Sequence, residues 1–592
     1  MLLTDAAASV SLTTELELTE QGILRLRHTL TNDGDTTLAL GSLDLILPLP
    51  ERANEVLDFS GLWTHERRPQ RTTLTHGLWA RETRHGRPGH DDPYLTVAGL
   101  PGFGFRSGEV WALHFAWSGD KRVWVERSPL GRATLGAGEL LEPGELSIAP
   151  GENYRMPWVV AVYSAEGLDG LSARLHPWIR SWSTITTPRP VVLNTWEAVY
   201  FDHDLPTLNR LVDAAAEVGV ERFVLDDGWF AGRTDDRRAL GDWFVDEKKW
   251  PTGLTPLIDR VREAGMDFGL WVEPEMVSDD SDAAREHPDW ILGSPDSPTW
   301  RFQRVLDLGN AEAFAHVLER LSALLTEYPI AYLKWDHNRD LLGGSAHRQT
   351  SALYRLMDAV RAAHPGVEIE SCASGGARID LGILERVDRV WTSDTNDPLE
   401  RQQIQRYTSI LVPPEYLGGH LGAGSAHTTG RRSELSFRLA TALFGSAGIE
   451  WDLTKVTPDD RTVIADWVRQ YKGLRALLHS GVVVRSDSVD PACELHGVVA
   501  SDGRSAVYSY VALAAARAAV PTPLRFVGLH PERSYTVRPL LLGALPRMIQ
   551  DAAPAWLASG EITLTGAVLE RVGIAAPLLA PEQAFVFLVS GN

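Results

Sequence analysis

Two short segments, Leu333-Lys334-Trp335-Asp336-His337-Asn338-Arg339-Asp340 and Trp391-Thr392-Ser393-Asp394, restrict most strongly what this chain can fold into. In each, a brief apolar run (Ile330–Leu333 and Val387–Trp391) stops abruptly at a carboxylate. A strand buried on both faces reads as such a run and presents its first polar side chain at its C-terminal edge. That is the pattern of a parallel sheet, and in an α/β barrel the C-terminal edge is where catalytic groups gather. Two aspartates delivered to one rim are the minimum for cutting a glycosidic bond with a nucleophile and an acid/base.

The same rhythm runs through the centre of the chain. From residue 181 apolar runs alternate with helical stretches such as Leu205–Val218 and Ala311–Leu325. Eight strands are expected, each closing on polar residues: Val191–Asn194, Phe223–Asp227, Phe268–Glu273, Ile330–Asp336, Val367–Cys372, Val387–Asp394, Tyr416–His420 and Ala442–Trp451. Eight such units over about 270 residues match a (β/α)8 TIM barrel. Residues 1–180 instead alternate polar and apolar side chains, as in Leu24-Arg25-Leu26-Arg27-His28, between turn signals such as Asn32-Asp33-Gly34-Asp35. This predicts a large N-terminal β-sandwich. Alternation returns over residues 485–592, as in Ala506-Val507-Tyr508-Ser509-Tyr510-Val511, and predicts a small antiparallel C-terminal β-sandwich. The expected multidomain α/β + β order is sandwich (1–180), catalytic barrel (181–484), sandwich (485–592).

Composition narrows the function. A formal charge of −21 opposes nucleic-acid binding, which needs a basic surface, and suits a neutral substrate. No apolar run approaches the ~20 residues that span a bilayer, so no membrane partner is expected. Cys372 and Cys493 are the only cysteines, and Met1-Leu2-Leu3-Thr4-Asp5 lacks the features of a signal peptide. Together they imply a soluble, cytoplasmic protein without a disulfide framework. No Gly-x-Gly-x-x-Gly, P-loop, His-x-His or His-Glu-x-x-His pattern is present, so no organic cofactor is expected. A metal would need Glu273, Asp336, Asp394, His420 and His427 to meet on one rim, and none is expected.

The strand ends carry the chemistry. Alternation puts Lys334, Asp336 and Asn338 on one face. A lysine in ion-pair range would hold Asp336 ionised, as a nucleophile requires; a surface ion pair at a strand end would read the same way. Asp394 fits an acid that must stay protonated, in surroundings drier or more negative than those of Asp336. Asp226-Asp227-Gly228-Trp229 ends the second strand, and adjacent carboxylates repel unless hydroxyls or a cation lie between them. Trp229 offers a stacking face, and an acidic turn is the plainer reading of that segment. Glu273 is the strongest rival carboxylate, and Cys372 suits a polarisable wall better than a nucleophile because no histidine adjoins it.

Seven ordered segments now identify a relationship: Asn194–Ala198, Asp226–Phe230, Trp271–Val277, Arg301–Asp307, Lys334–Arg339, Ser371–Arg378 and Trp391–Asp394. With them, the chain resembles an α-galactosidase of glycoside hydrolase family 36. The resemblance implies Asp336 as nucleophile and Asp394 as acid/base. It implies Asp226 and Asp227 as acids that grip galactose hydroxyls, and Trp196, Trp229, Trp271 and Trp391 as aromatic walls. Arg301, Lys334, Asn338, Cys372 and Gly375 match polar or backbone contacts. The implied activity is retaining hydrolysis of terminal α-galactosyl groups of small oligosaccharides, melibiose- or raffinose-like. An α-N-acetylgalactosaminidase or a transglycosylating galactosyltransferase on the same fold stays open, as does an idle sugar-binding protein. Two departures stand out: His337 where methionine is common, expected to alter the wall near the leaving group, and His90-Asp91-Asp92-Pro93 where the family favours His-x-x-Asn-Pro. The chain is also shorter than the family's tetrameric members, so the resemblance leaves monomer or homo-oligomer undetermined.

Overall fold

The computed structural model describes residues 1–182, 188–550 and 552–591. At its centre eight parallel strands close into a barrel: Val192–Asn194, Arg222–Leu225, Asp267–Val272, Ile330–Trp335, Glu368–Ser371, Arg389–Trp391, Leu417–Gly422 and Ser446–Glu450. Each pairs with the next, and the last returns to the first through Gly448 and Val192. Side-chain parity then decides what faces the axis. Leu193, Phe223, Leu225 and Leu333 join the large core under the helices, while Val192, Val224 and Tyr332 form a separate cluster. Asn194, Asp226, Lys334 and Asp336 share the parity of that second set, two or four residues further along. The alternation that fills the barrel floor with apolar groups therefore brings polar ones to its mouth.

The strand limits shift by up to four residues from the sequence reading, and two of the starts change element. Ala442 closes the helix Leu435–Ala442, and the eighth strand starts only at Ser446. Tyr416 lies in a 3-10 turn before the seventh strand. A short apolar run does not distinguish a buried helix end from a strand.

The N-terminal region packs a nine-stranded against a four-stranded antiparallel sheet. Val56, Ala98, Leu113 and Val159 face the smaller sheet. Their neighbours Leu57, Val97, Ala112 and Val160 face the barrel's core, so the larger sheet is buried on both sides. Two loops leave this sandwich for the barrel mouth, after strands Glu55–Ser60 and Gly77–Thr83. They touch at Gly61, where a Cβ would sit 2.7 Å from the His65 carbonyl oxygen and 2.9 Å from that of His90.

The C-terminal region is antiparallel as expected, with its strands joined in one six-stranded sheet instead of two facing ones. Val483, Val498, Val507 and Val586 turn to the barrel. Val484, Val499, Tyr508 and Phe587 turn to a cover of non-strand segments that includes Phe526, Leu569 and Leu579. Among the described residues no helix is long and apolar enough to cross a membrane.

Arg485 ties the three regions together. Its Nη1 lies 2.5 Å from Asp169 Oδ1, its amide donates to Asp169 Oδ2 at 2.7 Å, and Nη2 reaches the Ser409 carbonyl at 2.7 Å. Both side chains are almost wholly buried. Breaking one side of such a pair costs about 3–5 kcal/mol, because the other charge stays buried without compensation. Arg485→Met is therefore expected to lower the midpoint of urea unfolding sharply, as followed by circular dichroism. An unchanged midpoint would show that the pair contributes nothing to holding the regions together.

Candidate active site

A cavity of about 710 Å³ opens at the C-terminal rim of the barrel, within the usual size range of small-molecule sites. It collects Trp196, Asp226, Asp227, Trp271, Arg301, Lys334, Asp336, Asn338, Trp391 and Asp394, all expected from the sequence. Trp229, Cys372 and Gly375 do not line it. The Trp229 indole is fully buried, donates to the Trp271 carbonyl at 2.9 Å and packs on Phe230 and Trp243, so it supports the wall from behind. Cys372 is buried beside Asp336, to which its thiol hydrogen-bonds. Gly375 has φ +77°, and a Cβ there would meet the Asp394 amide nitrogen at 2.6 Å, so backbone contact requires glycine.

Asp336 follows the fourth strand directly. Its Oδ1 accepts from the His337 amide at 2.8 Å, and its Oδ2 from Asn338 Nδ2 at 2.6 Å and Trp271 Nε1 at 3.2 Å. Burial pushes this carboxyl up, but the charges of Lys334 and Arg301 and the bonds from Asn338 and Cys372 outweigh it. The net pKa lies below the ordinary value. Asp394 follows the sixth strand and shows the opposite balance. Burial first, then the charge of Asp336, holds it above the ordinary value, against the pull of Trp63, Lys334 and Arg301. Trp63 Nε1 donates to its Oδ2 at 2.8 Å and Trp391 Nε1 to its Oδ1 at 3.2 Å. One cavity thus holds a carboxyl biased towards the anion and another biased towards the acid.

Each member of the adjacent acid pair has its own cation. Asp226 Oδ2 accepts from Lys334 Nζ at 2.8 Å and Asn194 Nδ2 at 2.7 Å. Asp227 meets Arg233 in a two-pronged contact, at 2.9 Å from Nε and 2.7 Å from Nη2. The repulsion expected between neighbouring carboxylates is therefore neutralised by the protein itself, which leaves their remaining lone pairs for a ligand.

Glu273 is fully buried and lies outside the cavity. It accepts from the Asn338 amide at 2.6 Å and from Gln303 Nε2 at 2.9 Å. Burial and the nearby Asp336 charge push its pKa to about 8. It braces the strand end that carries Asn338. His337 also departs from expectation. Its ring turns away from the cavity into a buried group, 3.0 Å from Glu275, which Arg378 binds at 2.7 Å. It forms no wall near a leaving group. Among the described residues no group of three or more His, Cys, Asp or Glu side chains is arranged to hold a metal ion.

The N-terminal region completes the site, a contribution the strand-end reading missed. Trp63, His85, Arg87, His90 and Asp91 line the cavity. His90 Nε2 lies 2.7 Å from the Ser374 carbonyl, and Arg67 Nη2 donates to that of Gly376 at 2.9 Å. His90 and Asp91 carried a signal, because His90-Asp91-Asp92-Pro93 stands where the family favours His-x-x-Asn-Pro. Trp63 carried none, because nothing local links residue 63 to residue 394. The atypical Asp92 does not line the cavity and pairs with buried Lys121 at 3.1 Å.

Comparison with known proteins agrees with this architecture. Residues 153–481 match the melibiase family model, residues 1–149 the glycosyl hydrolase family 36 N-terminal domain, and residues 495–589 the corresponding C-terminal domain. An alpha-galactosidase of Escherichia coli is 42% identical over 600 residues, covering 98% of this chain and 84% of the relative. Alpha-galactosidase AgaA of Geobacillus stearothermophilus is 35% identical, covering 86% of this chain and 72% of AgaA. The crystal structure of an AgaA variant in complex with raffinose superposes with a TM-score of 0.90 at 31% identity, over 100% of this chain and 82% of AgaA. Another AgaA variant was solved with stachyose. Matched in all three of its regions by the models of one family and along nearly its whole length by members of it, the chain belongs to glycoside hydrolase family 36.

Proposed function

We propose that this protein is a retaining exo-α-galactosidase acting on terminal α-galactosyl groups of raffinose- and stachyose-type oligosaccharides. The observation that carries the mechanism is the opposed bias of two carboxyls in one cavity, Asp336 towards the anion and Asp394 towards the acid. Relatives named α-galactosidases, and the raffinose and stachyose complexes of AgaA, support the substrate class. The two buried, unpaired cysteines support a reducing, cytoplasmic setting.

In the first step the Asp336 carboxylate attacks the anomeric carbon while Asp394 gives its proton to the departing glycosidic oxygen. The product is a β-galactosyl ester on Asp336 and a free aglycone alcohol. In the second step Asp394, now ionised, takes a proton from water as that water attacks the same carbon. The ester breaks, α-galactose leaves, and both carboxyls regain their starting states. Asp226, Asp227 and Lys334 hold the galactose hydroxyls.

Catalysis needs Asp336 ionised and Asp394 protonated. kcat/KM should therefore fall as pH drops through the depressed pKa of Asp336 and again as pH rises through the elevated pKa of Asp394. In Asp394→Ala, p-nitrophenyl α-galactoside, whose leaving group needs little protonation, should keep its kcat/KM and lose the alkaline fall. Raffinose should be cut about 100- to 10,000-fold more slowly. Equal losses on both substrates would remove Asp394 from the acid role.

Asp226→Asn and Asp227→Asn test sugar recognition. Each should weaken a charge-assisted hydrogen bond worth roughly 1.5–3 kcal/mol, lowering kcat/KM on galactosides by about ten- to hundredfold. The 4-deoxy or 6-deoxy sugar lacking the contacted hydroxyl should be spared. A penalty of the same size on the deoxy sugars would show that the acids act through the integrity of the barrel mouth.

A further inference from the structure

The sixth barrel strand ends at Trp391, and the stretch from Thr392 to Asp397 runs without strand pairing before the helix Pro398–Thr408. Asp394 lies in that stretch, so something other than the barrel ladder must fix its direction. The backbone of the stretch has a distinctive partner. Arg401, in the first turns of the helix, is buried and directs its guanidinium back beneath the loop. Nε reaches the Thr395 carbonyl at 2.5 Å, Nη2 the Ser393 carbonyl at 2.7 Å, and Nη1 the Gly418 carbonyl at 3.1 Å and the Thr392 hydroxyl. The guanidinium carbon also sits 4.4 Å from the centre of the Trp391 ring. That indole is the one that donates to Asp394 Oδ1.

We propose that Arg401 is a positioning residue that aims the acid/base. This inference rests on the reading of Asp394 as that group. Its bonds fall on the residues immediately before and after Asp394, and its face supports the ring that touches the carboxyl. Among the described residues none of its hydrogen bonds goes to a carboxylate, although buried arginines ordinarily pair with one. Buried carbonyls need donors, and a planar fork with five N–H groups can serve several in fixed directions where an ammonium cannot. Burial brings its pKa down to about 10, against the opposing pull of Glu66 and Glu450, so the guanidinium stays charged in this dry place. Asn396 adds a second tie, donating to Glu197 at 2.8 Å and Glu450 at 3.1 Å.

The test is Arg401→Lys, which keeps the charge and loses the fork, measured alone and in an Asp394→Ala background. A misaimed proton donor costs about a hundredfold. The single variant should therefore lose about that much kcat/KM on raffinose, while p-nitrophenyl α-galactoside stays within roughly threefold of wild type. In the Asp394→Ala background the same change should cost nothing further on raffinose, since there is no acid left to aim. Uniform loss on both substrates, or an undiminished loss in the Asp394→Ala background, would overturn the role. Should Arg401→Lys fail to fold, Thr392→Val, which removes one contact of the fork, is expected to give a smaller loss with the same dependence on leaving group. Wild-type or uniformly reduced kinetics in that variant would overturn it. If Asp394→Ala itself shows no leaving-group dependence, the acid assignment falls and takes the role of Arg401 with it. A normal Asp394→Ala pattern beside a uniform Arg401→Lys loss overturns the role of Arg401 alone.

Discussion

The Lys334 ammonium, buried 2.8 Å from Asp226 in the mouth of the barrel, is the charge around which the rest of the site is arranged. Burial pushes its pKa down. Asp226 first, then Glu450 and Asp336, hold it instead well above the ordinary lysine range. In return the permanent cation pulls Asp336 below the usual carboxylate range. It pulls Asp394 too, but there burial and the Asp336 charge prevail. The opposed biases that the proposed nucleophile and the proposed acid require are thus produced by one lysine, one arginine and unequal exposure to each other's charge.

Much of this was legible in the sequence because parallel strands announce themselves as buried runs with polar ends. The parity that set Lys334 and Asp336 on one face also placed Asp226 and Asn194 there, all within the barrel mouth. What parity could not reveal is depth. Trp229 and Trp271 both lie near strand ends and look equally fit for stacking, yet Trp229 is sealed behind Trp271 and donates a hydrogen bond to its carbonyl. His337 shows the same limit from the other side: one residue beyond an inward-facing position, it turns outward to Glu275. Antiparallel alternation marked the terminal regions, although the cover of the C-terminal sheet, built from non-strand segments, left no periodic trace.

The long-range contacts were the least legible. The N-terminal sandwich is more than a neighbour of the barrel. Its larger sheet is buried between two cores, which brings the loop bearing Trp63 and Glu66 over the segments from Ala373 to Gly376 and from Thr392 to Asp394. Glu66, pushed to about 7 by burial, lies behind the proposed acid, and Trp63 lies in front of it. A strand end can announce which side chain it delivers, but not which distant loop will desolvate it. Both aspartates are desolvated; what separates them is that Lys334, Arg301 and the bonds from Asn338 and Cys372 favour the Asp336 anion, while the Asp336 charge disfavours that of Asp394. Since Trp63 donates to Asp394, the site is nonetheless built at the interface of two regions and not by the barrel alone.

The central claim is that Asp336 carries the sugar between two half-reactions. The most direct measurement is to react the enzyme with an activated galactoside bearing fluorine on the ring, which slows release of the glycosyl-enzyme, and then map the labelled peptide by mass spectrometry. The account predicts a single galactosyl ester, on Asp336 within the Ile330–Asp340 stretch. A label on Glu273 or Asp394, or turnover with inversion and no labelled peptide, would contradict it.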